Sequence, residues 1–103
     1  MVGRALEAVL RKFDESKEVR DGERVLELWR DADSGEVRLR DRAVKHVVAV
    51  DEHQLELTIM GLGQPVNAAT VASLLCRIYD QPEQYFGTRV LPVRSRATRR
   101  RME

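Results

Sequence analysis

The sequence predicts one α+β domain over residues 1–93, followed by a basic tail at residues 94–103. Three patterns occupy separate stretches of the chain: helical apolar spacing at the start, period-two alternation in the middle, and an apolar run of helix length later. Such segregation of helices and strands is typical of the α+β class. We therefore expect a helix, an antiparallel sheet, a buried helix and a short final element.

The first predicted element is an amphipathic helix over Arg4–Glu18. Apolar residues recur there at Leu6, Val9, Leu10 and Phe13. This spacing places them on one stripe of a helix, with charged residues on the other side.

Four strands are predicted next, after a turn at Asp21-Gly22. Alternation of apolar and polar residues indicates one buried face, and the short loops force antiparallel pairing of neighbours. Asp51–Gln54 is interpreted as one of these loops. The predicted four-stranded meander consists of Arg24–Arg30, Glu36–Arg42, Val44–Val50 and Leu55–Met60.

A second, buried helix is predicted from Ala68 to about Tyr79, with Asn67 as its N-cap. The run is almost wholly apolar, so the helix either crosses the sheet or forms a dimer interface. Pro82 marks its end, and residues 83–93 remain open between a short helix and an edge strand. The tail at 94–103 is expected to be disordered.

Composition excludes several classes of protein. Of the 103 residues 43% are hydrophobic and 34% are charged, unlike collagen-like or Pro/Gly-rich disordered chains. Cys76 is the single cysteine, which excludes an intrachain disulfide. No run of about 18 apolar residues is present to span a bilayer, and the first residues lack the apolar stretch of a secretory leader. We expect a cytoplasmic protein.

Charge is distributed unevenly. The last ten residues hold five arginines and one glutamate, whereas the other 93 residues hold 13 basic and 16 acidic side chains. A basic tail on a slightly acidic body favours contact with a polyanion, and each arginine on a phosphate would make binding depend on salt. The alternatives are a solvated terminus and a compositional bias, since arginine outnumbers lysine fifteen to three. The tail arginines are Arg94, Arg96, Arg99, Arg100 and Arg101.

The outward face of the predicted sheet carries an aromatic residue among cations. Basic groups that contact phosphates and a ring that stacks on a base are typical of proteins that hold single strands. The alternative is ion pairing within the sheet, since aligned apolar faces place Glu27 opposite Arg38 or Arg40. Trp29 has a further alternative, burial beneath the first helix or the tail segment. The predicted binding residues are Trp29, Arg38, Arg40, Arg42 and Lys45, with Tyr85 or Phe86 as further stacking candidates.

Catalytic and metal-binding patterns are sparse, so no enzyme, metal or cofactor is expected. Gly61-Leu62-Gly63 lacks the third glycine of a dinucleotide fingerprint and is interpreted as a strand-to-helix connection. His46 and Cys76 are interpreted as structural residues. Asp51, Glu52 and His53 are adjacent on a short loop, and such neighbours rarely converge on one metal ion.

The order of helix, four-stranded meander and helix over residues 4–79 resembles the ThermoDBP-type single-stranded DNA-binding proteins of thermophilic archaea. The arginine excess and the scarcity of asparagine are compatible with a thermophilic source. The resemblance implies that DNA lies along a cleft of basic and apolar side chains. The leading hypothesis is sequence-independent binding of single-stranded nucleic acid through the sheet face and the tail. The alternative is a non-enzymatic interaction or regulatory module that dimerises through helix 68–79.

Overall fold

The computed structural model describes residues 2–44 and 46–92. In these residues a layer of α-helices packs on one face of a five-stranded antiparallel sheet, which confirms the predicted α+β class. The helices are α1 (Val2–Ser16), α2 (Glu52–Leu62) and α3 (Ala68–Asp80), and one turn of 3-10 helix spans Pro82–Gln84. The strands are β1 (Glu18–Asp21), β2 (Arg24–Arg30), β3 (Val37–Arg40), β4 (His46–Val50) and β5 (Thr88–Pro92).

The first helix buries the four apolar residues that define its predicted stripe. It ends at Ser16, earlier than predicted, because Lys17 adopts a left-handed conformation with φ of 61°. The Lys17 N–H donates to the Phe13 carbonyl oxygen at 2.7 Å, as in a helix C-cap. The chain then reverses into β1, a strand that the sequence analysis did not predict.

The strands follow chain order across the sheet, β1-β2-β3-β4-β5. The predicted turn at Asp21-Gly22 joins β1 to β2, and β2 has its predicted bounds. The next two strands are shorter than predicted, so that Arg42 and Val44 lie in the turn after β3. Leu28 pairs with Leu39, and Leu39 pairs with Val48, which aligns the apolar residues on the face that packs against the helices.

The segment Leu55–Met60 is helical, so its prediction as a fourth strand is wrong. Asp51 caps α2 by accepting the Gln54 N–H at 3.0 Å, and the helix runs to a left-handed Gly63. Leu55 and Ile59, four residues apart, are buried on one helical face, whereas Leu57 is 45% exposed. Gly61 to Gly63 therefore ends a helix and does not connect a strand to a helix.

Helix α3 begins at its predicted N-cap, where Asn67 accepts the Thr70 N–H at 2.9 Å. Its apolar residues are buried within this single chain against α1, β1 and the turn at Pro82–Gln84. The Arg24 guanidinium holds its C-terminal end by donating two hydrogen bonds to the Asp80 carboxylate. The prediction of a dimer through this helix assumed that its apolar face is left uncovered within one chain. In the described structure that face is covered by the chain itself, so this reason for a dimer no longer holds.

Residues 83–92 of the open segment contain the end of the 3-10 turn, a bend and turn, and strand β5, which pairs antiparallel with β4; residue 93 lies outside the described residues. The helices and the inward strand residues form one core cluster. The other side of the sheet, which we call the outer face, carries the alternate residues, including Glu27, Trp29, Arg38 and Arg40. Within residues 2–44 and 46–92, no helix has the length and apolar composition needed to cross a membrane.

Candidate nucleic-acid interface

A hollow of about 450 Å³ lies on the outer face beside the start of β1, where β2 extends past its neighbour. Glu18, the first residue of β1, pairs with Glu27, so Trp29, two residues further along β2, has no partner in β1. The chain at that point is the turn out of α1, where the Lys17 carbonyl oxygen accepts the Leu28 N–H at 3.1 Å. We call this feature the Trp29 hollow; its lining residues are Ser16, Lys17, Glu18, Glu27, Leu28, Trp29, Arg40 and Arg42.

Two arginines share one carboxylate in this hollow. Glu27 lies opposite Arg40 in the β2–β3 register, and its Oε1 atom accepts the Arg40 Nε–H at 2.9 Å and lies 2.7 Å from Nη2. The Oε2 atom accepts the Arg42 Nε–H at 2.9 Å. The ion pairing predicted as the alternative for Glu27 is therefore confirmed, with Arg40 as the partner across the strands.

The shared carboxylate leaves one positive charge in excess. Hydrogen bonds from the two guanidinium groups hold the pKa of Glu27 below its ordinary value, and the bond from Arg40 has the larger effect. The carboxylate therefore stays ionised and accepts hydrogen bonds. The Arg42 side chain is 79% exposed and the Arg40 side chain 43%. Exposed ion pairs contribute little to stability, so Arg42 can exchange its partner for another anion at small cost.

Glu18, Glu27 and Arg40 form one row of register partners across the outer face, and a second row runs beside it. Trp29 pairs with Arg38, Arg38 pairs with Ala49, and Ala49 pairs with Arg89. The Glu36 carboxylate accepts hydrogen bonds from Arg38 at 3.3 Å and from Arg89 at 2.7 and 2.6 Å. Ala49 of β4, fully buried, lies between the two arginines in the register, and both guanidinium groups bind the Glu36 carboxylate.

The fold separates charges that balance along the sequence. Residues 20–45 contain seven basic and seven acidic side chains, but Glu23 and Asp33 lie in turns. Strand β5 adds Arg89 to the outer face, and the end of α1 adds Lys17. On the part of this face that the structure describes, six cations meet four carboxylates: Lys17, Arg20, Arg38, Arg40, Arg42 and Arg89 with Glu18, Glu27, Asp31 and Glu36.

The predicted site residues are brought together only in part. Trp29, Arg40 and Arg42 line the same hollow, with Trp29 half-buried outside the core cluster and on the side of the sheet opposite the helices. Arg38 lies beside Trp29 but contacts Asp31 and Glu36. Lys45 and the tail arginines Arg94, Arg96, Arg99, Arg100 and Arg101 lie outside the described residues.

The two further aromatic candidates lie elsewhere. Tyr85 packs against the core, and Phe86, 87% exposed, lies in the turn before β5. Neither residue lines the Trp29 hollow. The positions of these two rings therefore do not support a role for them in stacking bases at the Trp29 hollow.

Three residues of this surface were missed at the level of sequence. Lys17 and Glu18 were assigned to the first helix, and helical spacing gave no sign that Lys17 itself would adopt the left-handed conformation that ends it. Arg89 lay in the segment left open between a short helix and an edge strand. Val90 and Leu91 are adjacent apolar residues, so this short run has no clear alternation that would have predicted the strand.

The remaining polar candidates take structural positions. His46 begins β4 and stacks on the Tyr79 ring, with centroids 4.8 Å apart, while the Tyr79 hydroxyl donates to the His46 carbonyl oxygen at 2.8 Å. Cys76 is buried on α3, and burial raises the pKa of its thiol. In the described ranges, no group of three or more His, Cys, Asp or Glu side chains is arranged to hold a metal ion.

Comparison of the chain with protein-family models, with curated proteins and with solved structures gives no match. The resemblance to the ThermoDBP-type proteins therefore stays a prediction. A functional proposal for this chain rests on the geometry of the outer face.

Proposed function

We propose that this protein binds single-stranded nucleic acid, without reading an extended sequence, through the outer face of its sheet. The observation that carries the proposal is the Trp29 hollow, where two arginines share the single Glu27 carboxylate beside a half-buried tryptophan. A cation in excess of its local anion attracts phosphate, and an indole ring offers a stacking surface for any base.

Each residue of the hollow has a separate role in this proposal. A base stacks on Trp29, which lies past the start of β1 and has no partner in that strand. Arg42 exchanges Glu27 for a phosphate, since its exposed side chain uses only Nε in that pair. Arg40 stays on Glu27 and keeps the wall of the hollow in place, while Lys17 supplies a second cation at the rim. Duplex DNA lacks a free base for Trp29, so single strands are favoured.

The tail arginines extend the same electrostatic attraction in this proposal. They add affinity without base contacts, because phosphate contacts carry no sequence information. The tail alone would bind polyanions in many proteins, so the outer face must be tested with the tail intact and with its arginines neutralised.

Fluorescence anisotropy of a labelled single-stranded oligonucleotide tests the proposal over a salt series. Trp29→Leu and Arg42→Gln are expected to weaken binding several-fold, since stacking is worth about 1–3 kcal/mol per base. Arg11→Gln, on the exposed side of α1 in the helical layer, removes the same charge far from the hollow and serves as the control. The control is expected to bind like the original protein. If Trp29→Leu and Arg42→Gln also bind like the original protein, the outer face is not the binding surface.

A second candidate, a protein-interaction module, keeps one specific observation in its favour. Phe86, in the turn before the edge strand β5, is 87% exposed, and Val90, within that strand, is 51% exposed. Exposed apolar residues at a strand edge are typical of contact surfaces. Sedimentation velocity over a concentration series tests whether this surface mediates self-association. Self-association that Phe86→Ser abolishes supports the candidate, and a monomer at every concentration excludes self-association through this edge.

A further inference from the structure

The Trp29 hollow contains a carboxylate that a surface built only for phosphates does not need. Glu27 lies two residues from Trp29 on the same face of β2, about 7 Å away along the strand. Its negative charge repels phosphate, so a neutral residue there would increase attraction to any strand. Arg40 holds one oxygen of this carboxylate, and the other oxygen, held by the exposed Arg42, is the one that a hydrogen-bond donor of a ligand can reach.

Glu27 is held as an acceptor beside the stacking ring. Its Oε1 atom is occupied by Nε and Nη2 of Arg40, from the neighbouring strand. Its Oε2 atom has a described contact to Arg42 alone, which belongs to the exposed turn after β3. When Arg42 moves to a phosphate, Oε2 becomes open to a base that is stacked on Trp29.

The bases differ in what they offer a carboxylate. The Watson–Crick edge of guanine presents two adjacent donors, N1–H and N2–H. Adenine and cytosine present one amino donor beside an acceptor nitrogen, and thymine and uracil present one N–H between two carbonyl oxygens. Single-strand readers distinguish bases through such edges, and unpaired acceptors that face a carboxylate are unfavourable.

We infer that the Trp29 hollow is a guanine subsite for single-stranded nucleic acid, in which guanine stacks on Trp29 and donates N1–H and N2–H to the Oε2 atom of Glu27 that Arg42 has left. The inference rests on the proposed function and adds one preferred base to a surface that is otherwise indifferent to sequence. The phosphate next to this guanine binds Arg42, and neighbouring phosphates follow the second row toward Arg38 and Arg89.

The test uses the full chain and labelled decathymidylate with dT, dG or deoxyinosine at its centre. Inosine keeps N1–H and lacks the 2-amino group, so it removes one donor and leaves the stacking surface nearly unchanged. The dG oligonucleotide is expected to bind about fivefold or more tightly than the dT parent, and the inosine oligonucleotide falls between them.

Two matched variants separate base recognition from charge. Glu27→Gln removes a negative charge from the hollow, so it is expected to tighten binding to the dT parent and to abolish the preference for dG. Glu18→Gln removes the same charge from the same hollow, opposite Glu27 in register. It is expected to tighten binding to all three oligonucleotides while the dG preference remains.

The outcomes are distinct for the two proposals. Equal binding of the dT, dG and inosine oligonucleotides overturns the guanine subsite and leaves single-strand binding intact. A dG preference that survives Glu27→Gln overturns it as well. If none of the three oligonucleotides binds, the proposed function itself fails.

Discussion

Glu27 lies directly opposite Arg40 on neighbouring strands and accepts its Nε–H at 2.9 Å, while a second arginine, Arg42, donates to the other oxygen of the same carboxylate. The two arginines are therefore unequal. Arg40 is fixed by its strand and by two contacts, whereas Arg42 comes from a turn and makes one described contact. Under the proposed function, Arg42 is therefore the cation that exchanges Glu27 for a phosphate.

Substitution of the two arginines should separate binding from stability. Arg42→Gln is expected to reduce affinity for single-stranded DNA about three- to tenfold at low salt and to reduce the salt slope by about 1. Its effect on the free energy of unfolding should stay within about 0.5 kcal/mol, as for other exposed ion pairs. Salt-dependent anisotropy and urea unfolding measure the two quantities.

Arg40→Gln is the comparison for that prediction. It leaves the partly covered Glu27 carboxylate without its cross-strand partner, so the loss of stability should exceed that of Arg42→Gln. An unchanged salt slope in Arg42→Gln would contradict the assignment of Arg42 to a phosphate.

Lys17 combines a cation at the hollow with a strained backbone. A side chain at φ of 61° is unfavourable, and glycine is the residue that helices prefer at this position. Lys17→Gly is therefore expected to raise the free energy of unfolding by about 0.5–1 kcal/mol while weakening single-strand binding. Lys17→Ala, which keeps the strain and loses the charge, should weaken binding equally without the gain in stability. Equal stability of the two variants would contradict the strain.

Stability should fall in acid partly through Glu36. Hydrogen bonds from Arg89 lower the pKa of Glu36 below its ordinary value of 4.5, and Arg38 adds to this effect. A glutamate with a lowered folded-state pKa stabilises the fold above pH 4.5, and that contribution is lost as the pH falls through the lowered pKa. Urea midpoints measured from pH 7 down to acid should therefore fall less steeply in Glu36→Gln. Glu15→Gln, on α1, is the control. If the urea midpoint of Glu15→Gln falls with pH as gently as that of Glu36→Gln, the prediction is refuted.

Two glycines with left-handed backbones should differ in their tolerance of alanine. A Cβ atom at Gly63 meets nothing within 4 Å, so Gly63→Ala carries only the conformational cost of about 1 kcal/mol. A Cβ atom at Gly87 would lie 2.5 Å from the Cβ and Cγ atoms of Gln54, in the first turn of α2. Gly87→Ala should therefore cost about 1–3 kcal/mol more. Urea unfolding measures both, and equal losses would contradict the close packing of the turn before β5 against α2.

Much of the fold followed from apolar spacing. The first helix, the strand Arg24–Arg30 and the capped helix after Asn67 have long or strongly alternating patterns, and all three are found in the structure. The segment Leu55–Met60 shows where such patterns fail. Its apolar residues at 55, 57 and 59 fit a strand, but 55 and 59 also share one face of a helix, and so short a run does not separate the two.

Capping chemistry would have decided that case. Asp51 and Gln54 are three residues apart, the spacing of a helix start, and the Asp51 carboxylate accepts the Gln54 N–H. The missed strand β1 has a different cause. It has four residues and one buried side chain, Val19, so its pairing with β2, and not its own pattern, defines it.

The sequence predicted the site residues that lie on β2 and β3, but it did not predict those that reach the outer face from other parts of the chain. Alternation along β2 and β3 predicts that Trp29 and Arg40 share a face, and the structure agrees. The register that pairs Glu27 with Arg40, and not with Arg38, depends on loop geometry that the sequence leaves open. Lys17 and Arg89 join the face through a helix end and a strand that returns after two helices, which local patterns do not predict.

Stacking of a nucleic-acid base in the Trp29 hollow can be followed by tryptophan fluorescence, because Trp29 is the single tryptophan of the chain. The full chain is titrated with single-stranded and duplex DNA, alongside a variant in which Arg94, Arg96, Arg99, Arg100 and Arg101 are glutamine. Saturable quenching by single strands, weaker with duplex and retained when the tail is neutralised, is the predicted result. Binding detected by anisotropy with unchanged Trp29 emission would contradict the account.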